Sequence, residues 1–171
     1  TDNISPDSQD ASYSQVAINS HGEAIIIWDQ SDGANNRLYK AERAASGTWT
    51  VPTNLADAVS LAGSDVDDKI HVKINDSSEA IIAWVASDGS NAQIFKAERA
   101  SNGSWTLPAN PNDNISPNGT EAGQPKIALN NNGEGIIVWT QSDGTNDQIF
   151  KAERASNGTW TLPANTGDNL A

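Results

Sequence analysis

Cleaving a glycosidic bond needs two carboxylates facing one scissile bond, and three carboxylates recur here in the same setting. Glu42, Glu98 and Glu153 each sit in a Lys-Ala-Glu-Arg stretch, followed by Arg43, Arg99 and Arg154. Their recurrence argues against a shared centre, because a residue present once per repeat is spread around an assembly. Tyr39 is replaced by Phe95 and Phe150 at the matching positions, which marks an apolar packing site rather than a phenolic nucleophile. The two histidines, His21 and His71, occupy unmatched positions, and there is no cysteine. The sequence contains no Gly-x-Ser-x-Gly, P-loop or dinucleotide fingerprint. The expectation is that this chain is not an enzyme.

What recurs can bind once per unit. Asp32, Asp88 and Asp143 lie in Ser-Asp-Gly loops, where recognition commonly sits on a strand scaffold, although an Asx turn closing the loop is the simpler role for them. Trp49, Trp105 and Trp160 can stack on sugar rings if exposed, or pack between units if not. Calcium is a candidate cofactor at Asp143 and Asp147, or at Asp65, Asp67 and Asp68, but neither group has EF-hand spacing. Otherwise no cofactor is expected. Asn102-Gly103-Ser104 and Asn157-Gly158-Thr159 read both as sequons and as hairpin turns.

These residues are carried by a repeat. Residues 87–110 and 142–165 differ at three of 24 positions, and a looser copy starts at Ser31. Trp28, Trp84 and Trp139 mark one position and Trp49, Trp105 and Trp160 another, so the spacing is 56 then 55 residues in both series. Such self-similarity means one supersecondary unit used three times. The units run approximately over 2–56, 57–112 and 113–167, with 168–171 opening a fourth.

Each unit reads as four short strands. In the first copy Gln15 to Asn19 alternates, and Ala24 to Gln30 is a β-branched apolar run suited to a strand buried on both faces. Arg37 to Ala44 then alternates, with Tyr39, Ala41 and Arg43 on one side and Leu38, Lys40 and Glu42 on the other. A tight hairpin leads into Thr48 to Val51, and Pro52 ends the ladder. Short connections favour an antiparallel meander. The longer inter-unit segments, from Asn54 to Lys69 and from Asn110 to Pro125, read as loops.

Composition narrows the partners. A net charge of -12 disfavours nucleic acid, whose phosphates need clustered Lys and Arg. Apolar runs such as Ala24 to Trp28 fall far short of the ~20 residues that span a bilayer. Residues 1–4 carry no charged-then-apolar leader. Richness in Asn, Ser, Thr and Gly points to a secreted or cell-surface bacterial protein.

A four-stranded meander of this length, with one Trp closing the second strand and another in the fourth, resembles a β-propeller blade. At the motif level it is similar to sialidase-like blades, which carry the aspartate box Ser-x-Asp-x-Gly-x-x-Trp between their third and fourth strands. Here that place reads Ser101-Asn102-Gly103-Ser104-Trp105, with the aspartate missing and the loop shorter. The implied fold is all-β, three antiparallel blades forming half of a six-bladed propeller. The alternative is a β-trefoil, which also has three four-stranded units but usually shorter ones. Sialidases further need converging arginines, and third-strand arginines diverge because strands ~4.8 Å apart carry them away from the axis.

Known propellers have about 4 to 8 blades, so three blades need a partner. A homodimer completing the ring is expected. The functional expectation is a non-catalytic exported module for multivalent glycan or protein binding. A purely structural segment of a larger surface protein is the alternative, and a glycosidase-like enzyme a minor one.

Overall fold

The computed structural model describes residues 3–7 and 9–170. Asp2 and Ala171, which begin the first unit and close the four-residue opening of a fourth, lie outside the described residues. Three separate four-stranded antiparallel sheets are present. The first comprises β1 (Ala11–Ile18), β2 (Ala24–Ser31), β3 (Asn36–Arg43) and β4 (Trp49–Thr50). The second comprises β5 (Val66–Ile74), β6 (Ala80–Ser87), β7 (Ala92–Arg99) and β8 (Trp105–Thr106). The third comprises β9 (Ala122–Leu129), β10 (Gly135–Ser142), β11 (Asp147–Arg154) and β12 (Trp160–Thr161). Every sheet is a meander in chain order, and neighbouring sheets meet along their first strands, β1 with β5 and β5 with β9. These are propeller blades. No sheet shares a strand with another, which rules out the trefoil.

The second strand is the apolar spine of each blade, and its alternation decides which blade each residue meets. Ile25 and Ile27, with Leu38 from β3, face the second blade and pack with Val72, Ile82, Trp84 and Phe95. The other side of the second blade presents Ile81, Ala83, Val85 and Ile94 to Ile127, Ile137, Trp139 and Phe150. Each spine Trp lies opposite an aromatic of the third strand in the ladder. Ring centroids are 6.1 Å apart in all three pairs, Trp28–Tyr39, Trp84–Phe95 and Trp139–Phe150.

The joints between blades are also polar. Arg99 Nε donates to Glu42 at 2.9 Å and Trp105 Nε1 donates to the same carboxylate at 2.9 Å. One blade on, Arg154 Nε and Trp160 Nε1 donate to Glu98 at 3.0 and 2.8 Å. Asparagines add a second thread: Asn19 Nδ2 donates to the Asn75 carbonyl at 3.1 Å, and Asn75 Nδ2 to the Asn130 carbonyl at 2.9 Å.

Two readings of the sequence change. The first strands start earlier than the alternation suggested, at Ala11, Val66 and Ala122, because bulges interrupt their pairing and hide the period of two. The inter-unit loops hold short 3-10 turns at Leu55–Asp57 and Pro111–Asp113, each closed by a reciprocal cap, Asn54 with Asp57 and Asn110 with Asp113. Three residues are too few to show a helical period. Just beyond, Val59 N bonds Leu38 O at 2.6 Å and Ile115 N bonds Ile94 O at 2.7 Å. Leu170 N makes the same bond to Ile149 O at 2.8 Å.

Candidate functional site

A cleft of about 500 Å³ opens between the first and second blades, at the end where β2 stops and β5 starts. Two bulges shape it. In β1 the register shifts between Ser12 and Gln15, and in β5 between Val66 and Ile70. A bulge bends the strand and re-aims its side chains, and here it turns Tyr13 and the Asp67–Asp68 pair toward the cleft. Tyr13 has φ 49, a left-handed conformation that bulky residues rarely adopt. Gln124, at the matching bulge of β9, has φ 58.

Asp29 lines the cleft from β2, on the side of the strand that carries Ile25 and Ile27. It is only 6% exposed, and its Oδ1 has no hydrogen-bond partner among the described residues. The equivalent positions hold Val85 and Thr140, so the blade can be built without a carboxylate there. Burial lifts the Asp29 carboxyl above the ordinary range, and the nearby charge of Asp68 adds to the lift. The interaction between the neighbouring Asp67 and Asp68 carboxyls holds Asp67 below the usual value and raises Asp68. Lys69 Nζ approaches Asp67 at 2.5 Å and Asp68 at 3.6 Å. Asp65 Oδ1 accepts from Asn36 N at 2.8 Å, bridging the two blades. The arrangement combines one desolvated acid with a solvated, negatively charged rim, the split environment from which acid and base roles arise. Nothing in the repeat pattern drew attention to Asp29. The available signal was its mismatch with Val85 and Thr140.

Of the residues singled out from sequence, Asp65, Asp67 and Asp68 line the cleft, and the loop aspartates and hairpin tryptophans lie elsewhere. Asp32 accepts from Ala34 N and Asn35 N at 2.9 Å each and pairs with Arg37 at 3.1 Å. Asp88 accepts from Ser90 N and Asn91 N, and Asp143 from Thr145 N and Asn146 N. Those backbone donors hold Asp32 and Asp143 below the ordinary carboxylate value. All three form Asx turns, at the same end of the sheets as the cleft. Trp105 and Trp160 sit in the blade joints, with Lys40 and Lys96 4.9 Å above their rings. Trp49, in the first blade, is 39% exposed. Among the described residues no three His, Asp or Glu side chains gather closely enough to hold a metal ion, and this includes the surroundings of Asp143 and Asp147. His71 Nδ1 accepts from Ile127 N at 2.9 Å, tying the second blade to the third. No helix among the described residues is long and apolar enough to cross a membrane.

No family model and no curated protein matches this sequence. Its fold does have solved counterparts. It is similar to a polysaccharide lyase, Uly1, with a TM-score of 0.58 at 10% identity over 90% of this chain and 40% of that one. It is similar to a glycosyl hydrolase from Bacteroides ovatus, with a TM-score of 0.53 at 13% identity over 96% of this chain and 52% of the other. The endo-arabinase from Bacteroides thetaiotaomicron gives 0.51 at 13% identity, over 86% and 57%. The chain thus spans about half the length of the solved structures it matches. The fold likeness is to propeller-type chains and does not single out the sialidase-like box. It also corrects the expectation that this chain is not an enzyme, since a lyase, a hydrolase and an arabinase are all enzymes. The argument from repetition excluded only residues present in every blade. It never applied to Asp29, which occurs once.

Proposed function

We propose that this chain is half of a carbohydrate-active β-propeller, that saccharides engage the end of the blades bearing the inter-blade cleft, and that a second copy supplies the missing blades. The glycan part is carried by one observation: the fold aligns over 86–96% of the chain with a polysaccharide lyase, a glycosyl hydrolase and an endo-arabinase. Chemistry at the cleft is compatible, because a buried acid beside ionised carboxylates can hold or transfer protons at a hydroxyl or ether oxygen.

Support for a second copy comes from the two outer faces. Val16 of β1 is 66% exposed, whereas its equivalents Val72 and Ile127 are 3% and 5% exposed. On the third blade Ile136 and Ile149 are 42% and 49% exposed, against 0–1% for Ile25, Ile81, Leu38 and Ile94. Each outer face is thus one half of a joint that occurs twice inside the chain. Stacking the third blade of one copy on the first blade of another reproduces that joint, and a two-fold pair does so twice and closes.

The test is a mass in solution together with incubation of the same sample with arabinan and mannan, reading both retention on the polysaccharide and release of reducing ends. Retention or cleavage supports the reading. Neither activity, from a sample of dimeric mass, overturns its glycan part and leaves the ring; a strictly monomeric mass overturns the ring.

A further inference from the structure

We infer that the cleft between the first and second blades is a subsite for an uncharged sugar residue, with Asp29 bonded to a sugar hydroxyl and Tyr13 lying against the ring face. The inference rests on the glycan reading above and adds a place, a chemistry and a selectivity to it.

Asp29 carries most of the weight. A carboxyl group that is more than nine-tenths buried and has an oxygen without a partner is unfavourable in an interior unless something supplies the hydrogen bond. Val85 and Thr140 show that the blade does not need a carboxylate there. A sugar hydroxyl both donates and accepts, so it satisfies either protonation state of Asp29. Burial holds the group toward its acid form, in which it donates as well.

The rest of the cleft fits the same occupant. A volume of about 500 Å³ lies within the range of small-molecule sites, which pair an apolar or aromatic wall with a few placed polar groups. Tyr13, 59% exposed at the mouth, supplies the aromatic wall. Asp65, Asp67 and Asp68 line the opposite side. Their carboxylates accept from hydroxyls and repel uronate, sulfate or other anionic sugars. A directly bound metal ion fits less well, because among the described residues no three potential ligands converge.

The sibling blades supply the test variants. Asp29→Val installs the residue of the second blade, and Tyr13→Gln installs that of the third, where Gln124 already holds the same backbone conformation. Wild type and both variants are titrated calorimetrically with arabino-oligosaccharides and manno-oligosaccharides, with oligogalacturonate as the anionic comparison and EDTA in a parallel set. The expected result is binding of a neutral oligosaccharide, none of oligogalacturonate, and at least a tenfold loss in each variant while thermal unfolding stays cooperative. Unchanged affinity in Asp29→Val overturns this site but leaves the glycan reading standing. Binding abolished by EDTA, or a preference for oligogalacturonate, also overturns it. Wild type that binds none of these sugars overturns the site and, if polysaccharide retention and cleavage are absent too, the glycan reading with it.

Discussion

Arg99 reaches across from the second blade to Glu42 of the first, Nε to Oε2 at 2.9 Å. Both side chains are at most one-fifth exposed, and the carboxylate also takes the Trp105 indole N–H and the Lys40 ammonium. The pair therefore works as the centre of a four-residue clasp. Replacing Glu42 with Ala leaves Arg99 and Trp105 half-buried with unmet donors, a situation that costs more than the loss of a surface ion pair. We expect about 1–3 kcal/mol of destabilisation in urea unfolding. Lys151→Ala, at a pair that is half-exposed while the outer face of the third blade is uncovered, should cost the monomer under about 1 kcal/mol.

The same clasp is incomplete at the outer faces. Among the described residues Glu153 has only Lys151, and Arg43 bonds the Gly22 carbonyl but no carboxylate. In the proposed ring a second copy would bring the two together, with Trp49 beside them as Trp105 stands beside Glu42. Glu153→Arg alone should shift sedimentation toward monomer at least tenfold in dissociation constant. The double variant Glu153→Arg with Arg43→Glu should regain the dimer, since each joint then holds an inverted pair.

Asp29 gives stability a dependence on pH with a fixed sign. Its folded carboxyl is raised above the unfolded value by burial, which outweighs the lowering by its own backbone N–H, and repulsion from Asp68 adds to the rise. The favourable contribution is therefore complete below the unfolded value and is lost as pH rises through the folded one. Melting curves of wild type and Asp29→Val should lie closest in acid and separate upward through that window. Above it the valine variant should be more stable by about 1–3 kcal/mol. Curves that stay parallel would show that Asp29 is not held in its acid form.

His71 acts in the opposite direction. Burial first, then Lys126 and Lys73, hold its imidazole below the ordinary value, and Nδ1 accepts from Ile127 N. Its contribution is present above the unfolded pKa of about 6.5 and is lost as pH falls through the folded one. His71→Gln, which copies Gln15 of the first blade, should flatten the acid-side drop in melting temperature. If the drop persists unchanged in the variant, another group causes it.

Periodicity exposed what recurs and concealed what does not. The tryptophan series located the spine and the joint of each blade, and the alternation at Tyr39 and Leu38 placed them on opposite sides, as the cores bear out. The recurring Lys-Ala-Glu-Arg stretches supply an ion pair across each internal joint. Asp29 follows Trp28 at the end of an apolar run and reads in the sequence as the first polar residue of the next loop. Its burial depends on a neighbouring blade more than thirty residues away. Tyr13 is hidden for a related reason: a bulge breaks the period of two that identifies a strand. The Asn19–Asn75 thread needs knowledge of which turns are adjacent in space, and alternation within one strand carries none.

In the proposed two-copy ring, the bond from Leu170 N to Ile149 O would make docking at the third blade a contest. Inside the chain, Val59 and Ile115 make that bond from the first residues of the next unit, and Ile4 is the residue of that kind in the first blade. A second copy arriving at the third blade brings its own Ile4 to a carbonyl that Leu170 already holds. One claimant must release before the other can bind. Ring closure is then an exchange reaction, with a barrier set by peeling off one short segment, and its rate stops rising with protein concentration once that release becomes limiting.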